Sequence, residues 1–400
     1  MNSKIDDDLS TGESAIYDRQ IRLWGSNAQL RIKSSKVLFI GLSTGTVEIV
    51  KNTVLAGANI ILEDPRLVDA KSTNFLIQLE IDDPEGMPRF IIAIVSLGMS
   101  VAEATAFSLH RLNEHPSVEF RTSSSSEQQL DTSIAAVVVS LSYLDFDIDK
   151  ALSISREARA KGIAFFAVVD SWNVSWMFSD FGASHIVEAH TPPLRRDDRT
   201  GDRTSTSNRI EEYEFCDFHS YVGAPMNDKY WDSKPSFPSE VFLFVYFYLR
   251  FRSSKSLVED KDPSPKRVRR AATTFSQYLQ DTLTETPSAR FSKYLGSRSV
   301  AEFCYYLSSQ YEAHIQQPAP PHIAAILGAL VTQEIIKYVT KKDPPLVNSL
   351  VIHNEECSAV VVKQPPSLSS RIISSTIDAI EENDVEIVTT AANMVEAVLD

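Results

Sequence analysis

Lys36-Val37-Leu38-Phe39-Ile40-Gly41-Leu42-Ser43-Thr44-Gly45-Thr46 is a short apolar run, a glycine-bearing turn and the opening of a helical pattern that continues to Ala56. Ile60-Ile61-Leu62 follows as a second apolar run and ends at Glu63-Asp64. Short apolar runs bounded by turn residues read as strands buried on both faces, and two of them joined by a helix make the βαβ unit of a parallel sheet. Further strands are predicted at Ser117 to Arg121, Ile134 to Ser140 and Ile163 to Asp170, with helices at about Ser100 to Glu114 and Asp149 to Lys161. Alternation of this kind predicts an α/β fold, a mostly parallel sheet with helices on both faces.

The pattern changes between Pro192 and about Pro321: a polar, charged stretch at Arg195 to Ser207, aromatic segments, then Ser253 to Arg270, rich in Ser, Lys and Pro. This reads as an insertion, 192–320, with a mobile loop inside it. The chain returns to the sheet through a predicted helix Ile323 to Val339 and strand Ser349 to Ile352. The expected organisation is a disordered 1–14, a sheet domain formed by 15–191 and 321–364, and a polar, acidic tail over 365–400.

With 400 residues, 43% of them hydrophobic, the chain can bury a large core. A formal net charge of -14 argues against general nucleic-acid binding, which needs clustered Lys and Arg. The most apolar run, Val241 to Leu249, is about half of the ~20 residues that span a bilayer, and it reads as a buried helix or strand. The acidic start, with Asp6, Asp7 and Asp8, shows no secretory signal. Cys216, Cys304 and Cys357 form neither a disulfide framework nor a zinc motif, which points to a reducing compartment, cytosol or nucleus. No metal site is expected.

Ahead of the glycine turn stands Tyr17-Asp18-Arg19-Gln20-Ile21-Arg22-Leu23-Trp24-Gly25. Ile21, Trp24 and Ala28 fall on one face of a helix while Arg19 and Arg22 project elsewhere. One face packs; the other is left to touch a partner or to pair with neighbours such as Asp18.

This string, with Lys36 to Leu42 and Glu48-Ile49-Val50-Lys51-Asn52, closely resembles the ThiF/MoeB-like adenylation family that activates ubiquitin-like proteins. Within it, the chain is similar to the smaller, regulatory subunits of heterodimeric SUMO-activating enzymes. Asn74-Phe75-Leu76-Ile77, Ala102-Glu103-Ala104, Ser179 to Glu188, Gln333 to Lys337 and Asp343-Pro344-Pro345 add to it in the family's order. The resemblance implies a Rossmann-like adenylation fold and an enzyme active only as a heterodimer. Its partners would be a catalytic large subunit and a SUMO-like modifier, with ATP and Mg2+ held by the large subunit and no cofactor bound here. By resemblance, Arg19 is the arginine that reaches the partner's ATP, and Arg22 is the runner-up. The regulatory subunit for the cullin-modifying ubiquitin-like protein, a non-catalytic dimerisation scaffold and a self-sufficient adenylyltransferase are the rival readings.

A phosphate site in such a fold needs glycines where the backbone approaches the phosphates. The family's later two glycines fall on Thr44 and Thr46, whose β-branched side chains are costly at positive φ. The resemblance also places an Asn and an Arg near Ser72 and Thr73, and a Lys or Arg near Val101; none is present. Asp64 or Glu63 remains as a candidate to hold a ribose.

No cysteine reads as a thioester acceptor: Cys216 follows Glu211, Glu212 and Glu214, Cys357 follows Glu355 and Glu356, and Cys304 lies in an aromatic helical stretch. Lys266-Arg267-Val268-Arg269-Arg270 reads either as a nuclear-import signal or as a solvated loop. Val385-Glu386-Ile387-Val388 resembles a segment that adds an edge strand to the modifier, and reads equally as an ordinary strand of the tail.

Overall fold

A computed structural model describes residues 9–68, 98–110, 112–121, 130–142, 147–172, 174–190, 208–223, 240–259, 274–284, 289–316, 319–353, 358–362 and 372–375. Three short helices lead in: α1 (Thr11–Ile16), α2 (Asp18–Trp24) and α3 (Ser26–Ser34). The βαβ unit follows as β1 (Lys36–Ile40), α4 (Thr44–Ala56) and β2 (Asn59–Glu63). Next come α5 (Val101–Leu109), β3 (Val118–Arg121), β4 (Ala136–Ser140), α6 (Ile148–Ala160), β5 (Ala164–Asp170) and β6 (Val174–Asp180). Then the chain forms β7 (His185–His190), β8 (Asn208–Tyr213), α7 (Phe218–Gly223), α8 (Glu240–Glu259), α9 (Phe275–Thr284), α10 (Ala289–Leu295), α11 (Val300–Gln316) and α12 (Pro321–Thr340). It closes with β9 (Ser349–His353), β10 (Ser358–Val362) and β11 (Ile372–Ser375).

The main sheet has the order β10-β9-β6-β5-β4-β1-β2-β3. Strands β1 to β5 pair in parallel, and the three pairings from β5 outward to β10 are antiparallel. The fold is therefore α/β and Rossmann-like, with the order 3-2-1-4-5 in its parallel part and a reversal of direction between β1 and β4. Ligands of such sheets bind outside the strand ends at that reversal.

Alternation along each strand divides the apolar side chains between two cores. Leu38, Val137, Phe165 and Trp176 face one side; Val37, Phe39, Val138 and Met177 face the other. Each such buried side chain contributes roughly 1.5–3 kcal/mol. The second face is covered by α4, α5 and α12. The first is covered by α6 together with α7 to α11, so the segment expected as an insertion supplies, in its described parts, most of one helical layer.

Val241 to Leu249 is the buried core of α8, and this helix runs on to Glu259, taking in the start of the stretch expected as a loop; 260–273 lie outside the described residues. The order of the chain also begins earlier than expected: Ser10 and Glu13 form a reciprocal capping box at the start of α1. A strand, β11, emerges from the expected tail and pairs antiparallel with β8 in a separate three-stranded sheet. The helix α12 is long and apolar enough to cross a membrane, a run the sequence reading did not find, and half of it is buried. Its packing along α4, with the Thr332 hydroxyl donating to the Ile49 carbonyl at 3.2 Å, makes it a core helix.

Candidate functional site

Arg19 sits in α2, a seven-residue helix with no buried residue. The expected continuous helix is broken at Gly25, whose φ of 89° only glycine adopts without strain. Ala28 is buried in α3 as expected, while Ile21 and Trp24 are half-buried on the preceding helix. So short a helix is not stable by itself; it is held at its two ends. At the first, Tyr17 is 2% exposed and its hydroxyl accepts a hydrogen bond from Asn113 Nδ2 at 2.8 Å. At the second, Lys342 Nζ donates to the Trp24 carbonyl at 2.8 Å, and Trp24 Nε1 donates to Gln29 Oε1 at 3.3 Å.

Arg19, Arg22 and Leu23 of α2 face solvent. Arg22 is ion-paired with Asp18 at 3.0 Å. Arg19 is exposed and has no hydrogen-bond or ion-pair partner among the described residues. Leu23 beside it is 75% exposed and Ile16 is 59% exposed, which leaves apolar surface around a free guanidinium.

At the glycine turn the expected strain at Thr44 and Thr46 is not found. Gly41 has φ 76°, but Thr44 and Thr46 lie in the first turn of α4 in ordinary helical geometry, so neither is strained. What fills the helix N-terminus is Asp170, at the end of β5. Its carboxylate accepts from the Gly45 N–H at 2.9 Å, from the Ser142 hydroxyl at 2.5 Å and from the Ser43 hydroxyl.

These are the donors a phosphate would use at such a terminus. Gly45 is needed for the approach: a Cβ there would lie 2.9 Å from Leu327 Cδ2 and 3.1 Å from Asp170 Cγ. Burial pushes the Asp170 carboxyl above its ordinary range, and the hydrogen bonds from Ser142, Ser43 and Gly45 pull it back.

Asp64 is also engaged. It accepts from the Leu42 N–H at 2.8 Å and from Arg66 Nε at 2.9 Å, so the carboxylate considered for a ribose is tied to its own loop. Glu63 lies 3.6 Å from Lys150. Val101, where the resemblance places a cation, is a buried first residue of α5. The Gly45 N–H, the Ser43 and Ser142 hydroxyls and the Asp64 carboxylate are all engaged within the chain at this turn.

The thiols are also explained differently from the sequence reading. Burial, then the charges of Asp180 and Asp217, pushes Cys216 up to about 12; the preceding glutamates do not enter. Burial alone pushes Cys304 to about 11. A thiol with so high a pKa holds almost no thiolate at neutral pH. Iodoacetamide near neutral pH is expected to leave both unmodified in the folded protein, as peptide mass mapping would show; rapid labelling of either contradicts this.

Ser72, Thr73, Cys357, Lys266 to Arg270 and Val385 to Val388 lie outside the described residues. Of the residues that shape this region, sequence reading missed Asp170, Ser142 and Asn113. The signal for Asp170 was a carboxylate ending the run Phe165-Phe166-Ala167-Val168-Val169, since strand ends at the glycine turn are where charges meet.

No family model matches the chain. It is 26% identical over 364 residues to SUMO-activating enzyme subunit 1 of Xenopus laevis, covering 88% of this chain and 96% of that protein. It is 26% identical over 376 residues to SUMO-activating enzyme subunit aos-1 of Caenorhabditis elegans, covering 90% and 99%. A crystal structure of PaaA superposes with a TM-score of 0.47 at 12% identity, covering 91% of this chain and 77% of that one. Over most of its own length and nearly all of theirs, this chain is thus similar to proteins named SUMO-activating enzyme subunit 1 and subunit aos-1.

Proposed function

We propose that this chain is the regulatory subunit of a heterodimeric SUMO-activating enzyme, inactive alone, which supports ATP-dependent adenylation of a SUMO-like modifier by a catalytic large subunit. The names of its homologues support this. One observation carries the division of labour: Arg19 is an unpaired, exposed cation on a helix held by its ends, while Asp170 fills the chain's own anion-binding helix terminus.

The chemistry follows from charge. When the modifier's C-terminal carboxylate attacks the α-phosphate of ATP, the bond to the leaving pyrophosphate breaks and negative charge builds on it. A planar, permanently charged guanidinium can bind two of those oxygens at once. Placed beforehand, it stabilises that charge without reorganising at the moment of reaction. Arg19 is the residue for this, since Arg22 is already committed to Asp18. ATP and Mg2+ sit in the large subunit. The basic run Lys266 to Arg270, read as an import signal, supports a nuclear location, with the cytoplasm as a second.

Coexpression with candidate large subunits tests the reading. The expected result is copurification with the SUMO-type large subunit, ATP-dependent adenylation of a SUMO-type modifier, and no ATP binding by this chain alone in calorimetry. Preferential assembly with the large subunit for the cullin-modifying protein, or measurable ATP affinity of the isolated chain, would contradict it.

A further inference from the structure

We infer that Tyr17 and Asn113 are positioning residues for Arg19, an assignment that rests on the arginine's proposed role. The helix bearing Arg19 has no buried side chain of its own, so its direction depends on what holds its two ends, and Arg19 lies nearer the first. That end follows Tyr17, which ends α1 and begins α2.

The Tyr17 ring lies in a slot that exists only because residue 57 is glycine. A Cβ there would stand 2.9 Å from both Cζ and the hydroxyl oxygen of Tyr17, and Gly57 has φ 99°. Asn113 closes the slot. Its Nδ2 donates to the Tyr17 hydroxyl at 2.8 Å and to the Val54 carbonyl at 2.9 Å, and its Oδ1 accepts from the His115 N–H at 3.2 Å.

Thus one side-chain amide ties the root of α2 to the end of α4, and α4 packs on the sheet. Burial pushes the Tyr17 hydroxyl above its ordinary pKa, consistent with a neutral phenol in this bond. An arginine two residues from so fixed a point is aimed before any nucleotide arrives. Misplacement of a reacting or stabilising group by about 1 Å can cost on the order of 10²-fold in rate, so loosening this anchor acts on catalysis even where the fold survives.

The test uses the assembled enzyme with its large subunit and modifier, comparing Tyr17→Phe, Arg19→Ala and the double variant by single-turnover adenylate formation. Tyr17→Phe keeps the ring in its slot and removes only the hydroxyl. The expected result is a fall in the rate of roughly tenfold with the KM for ATP unchanged, and no further fall when Tyr17→Phe is added to Arg19→Ala. Asn113→Ala is expected to show the same dependence on Arg19. Equal losses in both backgrounds, or a wild-type rate for Tyr17→Phe, would overturn the positioning role. A wild-type rate for Arg19→Ala alone would instead overturn the arginine's role, and this inference with it.

Discussion

Arg19→Ala in the assembled enzyme is expected to slow adenylate formation by about 10³-fold while leaving assembly intact. That factor corresponds to about 4 kcal/mol of barrier. It is large because, in the proposed role, the guanidinium acts where charge develops, and Arg22 on the same helix is ion-paired with Asp18 at 3.0 Å. The fold is spared because Arg19 has no hydrogen bond or ion pair among the described residues, and assembly is expected to survive with it. ATP–pyrophosphate exchange measures the first expectation and size-exclusion chromatography the second. Arg19→Lys is expected to recover only part of the rate, since an ammonium lacks the fork that binds two oxygens.

The largest stability effect is expected at Gly328, where α12 crosses α4. A Cβ on residue 328 would lie 2.6 Å from Glu48 Cβ and 2.9 Å from the Glu48 carbonyl carbon. The second of these is backbone, which cannot rotate away. Gly328→Val adds a branched side chain to this crossing, and the helices must separate or bend. Overpacking costs about 1–3 kcal/mol, occasionally more, against a helix-propensity gain of under ~1 kcal/mol over glycine. The clash wins. A net loss near the top of that range corresponds to a fall in Tm of roughly 2–4 °C for a chain of this length, read by differential scanning calorimetry. Gly223→Ala is the control, because nothing lies within 4 Å of a Cβ there; equal melting of Gly328→Val and this control would contradict the packing account.

The parallel half of the sheet was legible because its strands are short runs buried on both faces, and runs such as Ala136–Ser140 and Ala164–Asp170 carry that signature without help from tertiary context. The small sheet was not legible, since β11 joins β8 across more than a hundred residues and nothing local in Ile372–Ser375 announces the pairing. Aromatic segments between 208 and 316 looked like an insertion because helices buried along much of their surface lack a polar face. The break at Gly25 was hidden by a periodicity that runs through it.

The site was readable in part. Arg19 stands out through resemblance, not through its own spacing. Attention at the glycine turn fell on Thr44 and Thr46, while the group that takes the Gly45 N–H is a carboxylate from a distant strand. Tyr17 was visible as part of the motif, yet its anchor Asn113 could be found only once the fold brought residues 17, 57 and 113 together.

Asp170 takes the hydrogen bonds of the Gly45 N–H and of the Ser43 and Ser142 hydroxyls, and on the proposed reading this chain acts on ATP through Arg19 alone. The most direct measurement is the structure of the assembled enzyme with ATP in the large subunit. The account predicts the Arg19 guanidinium within hydrogen-bonding distance, about 3 Å, of the oxygens of the leaving phosphates. Arg19 turned away from that nucleotide, with another cation at those oxygens, would contradict it.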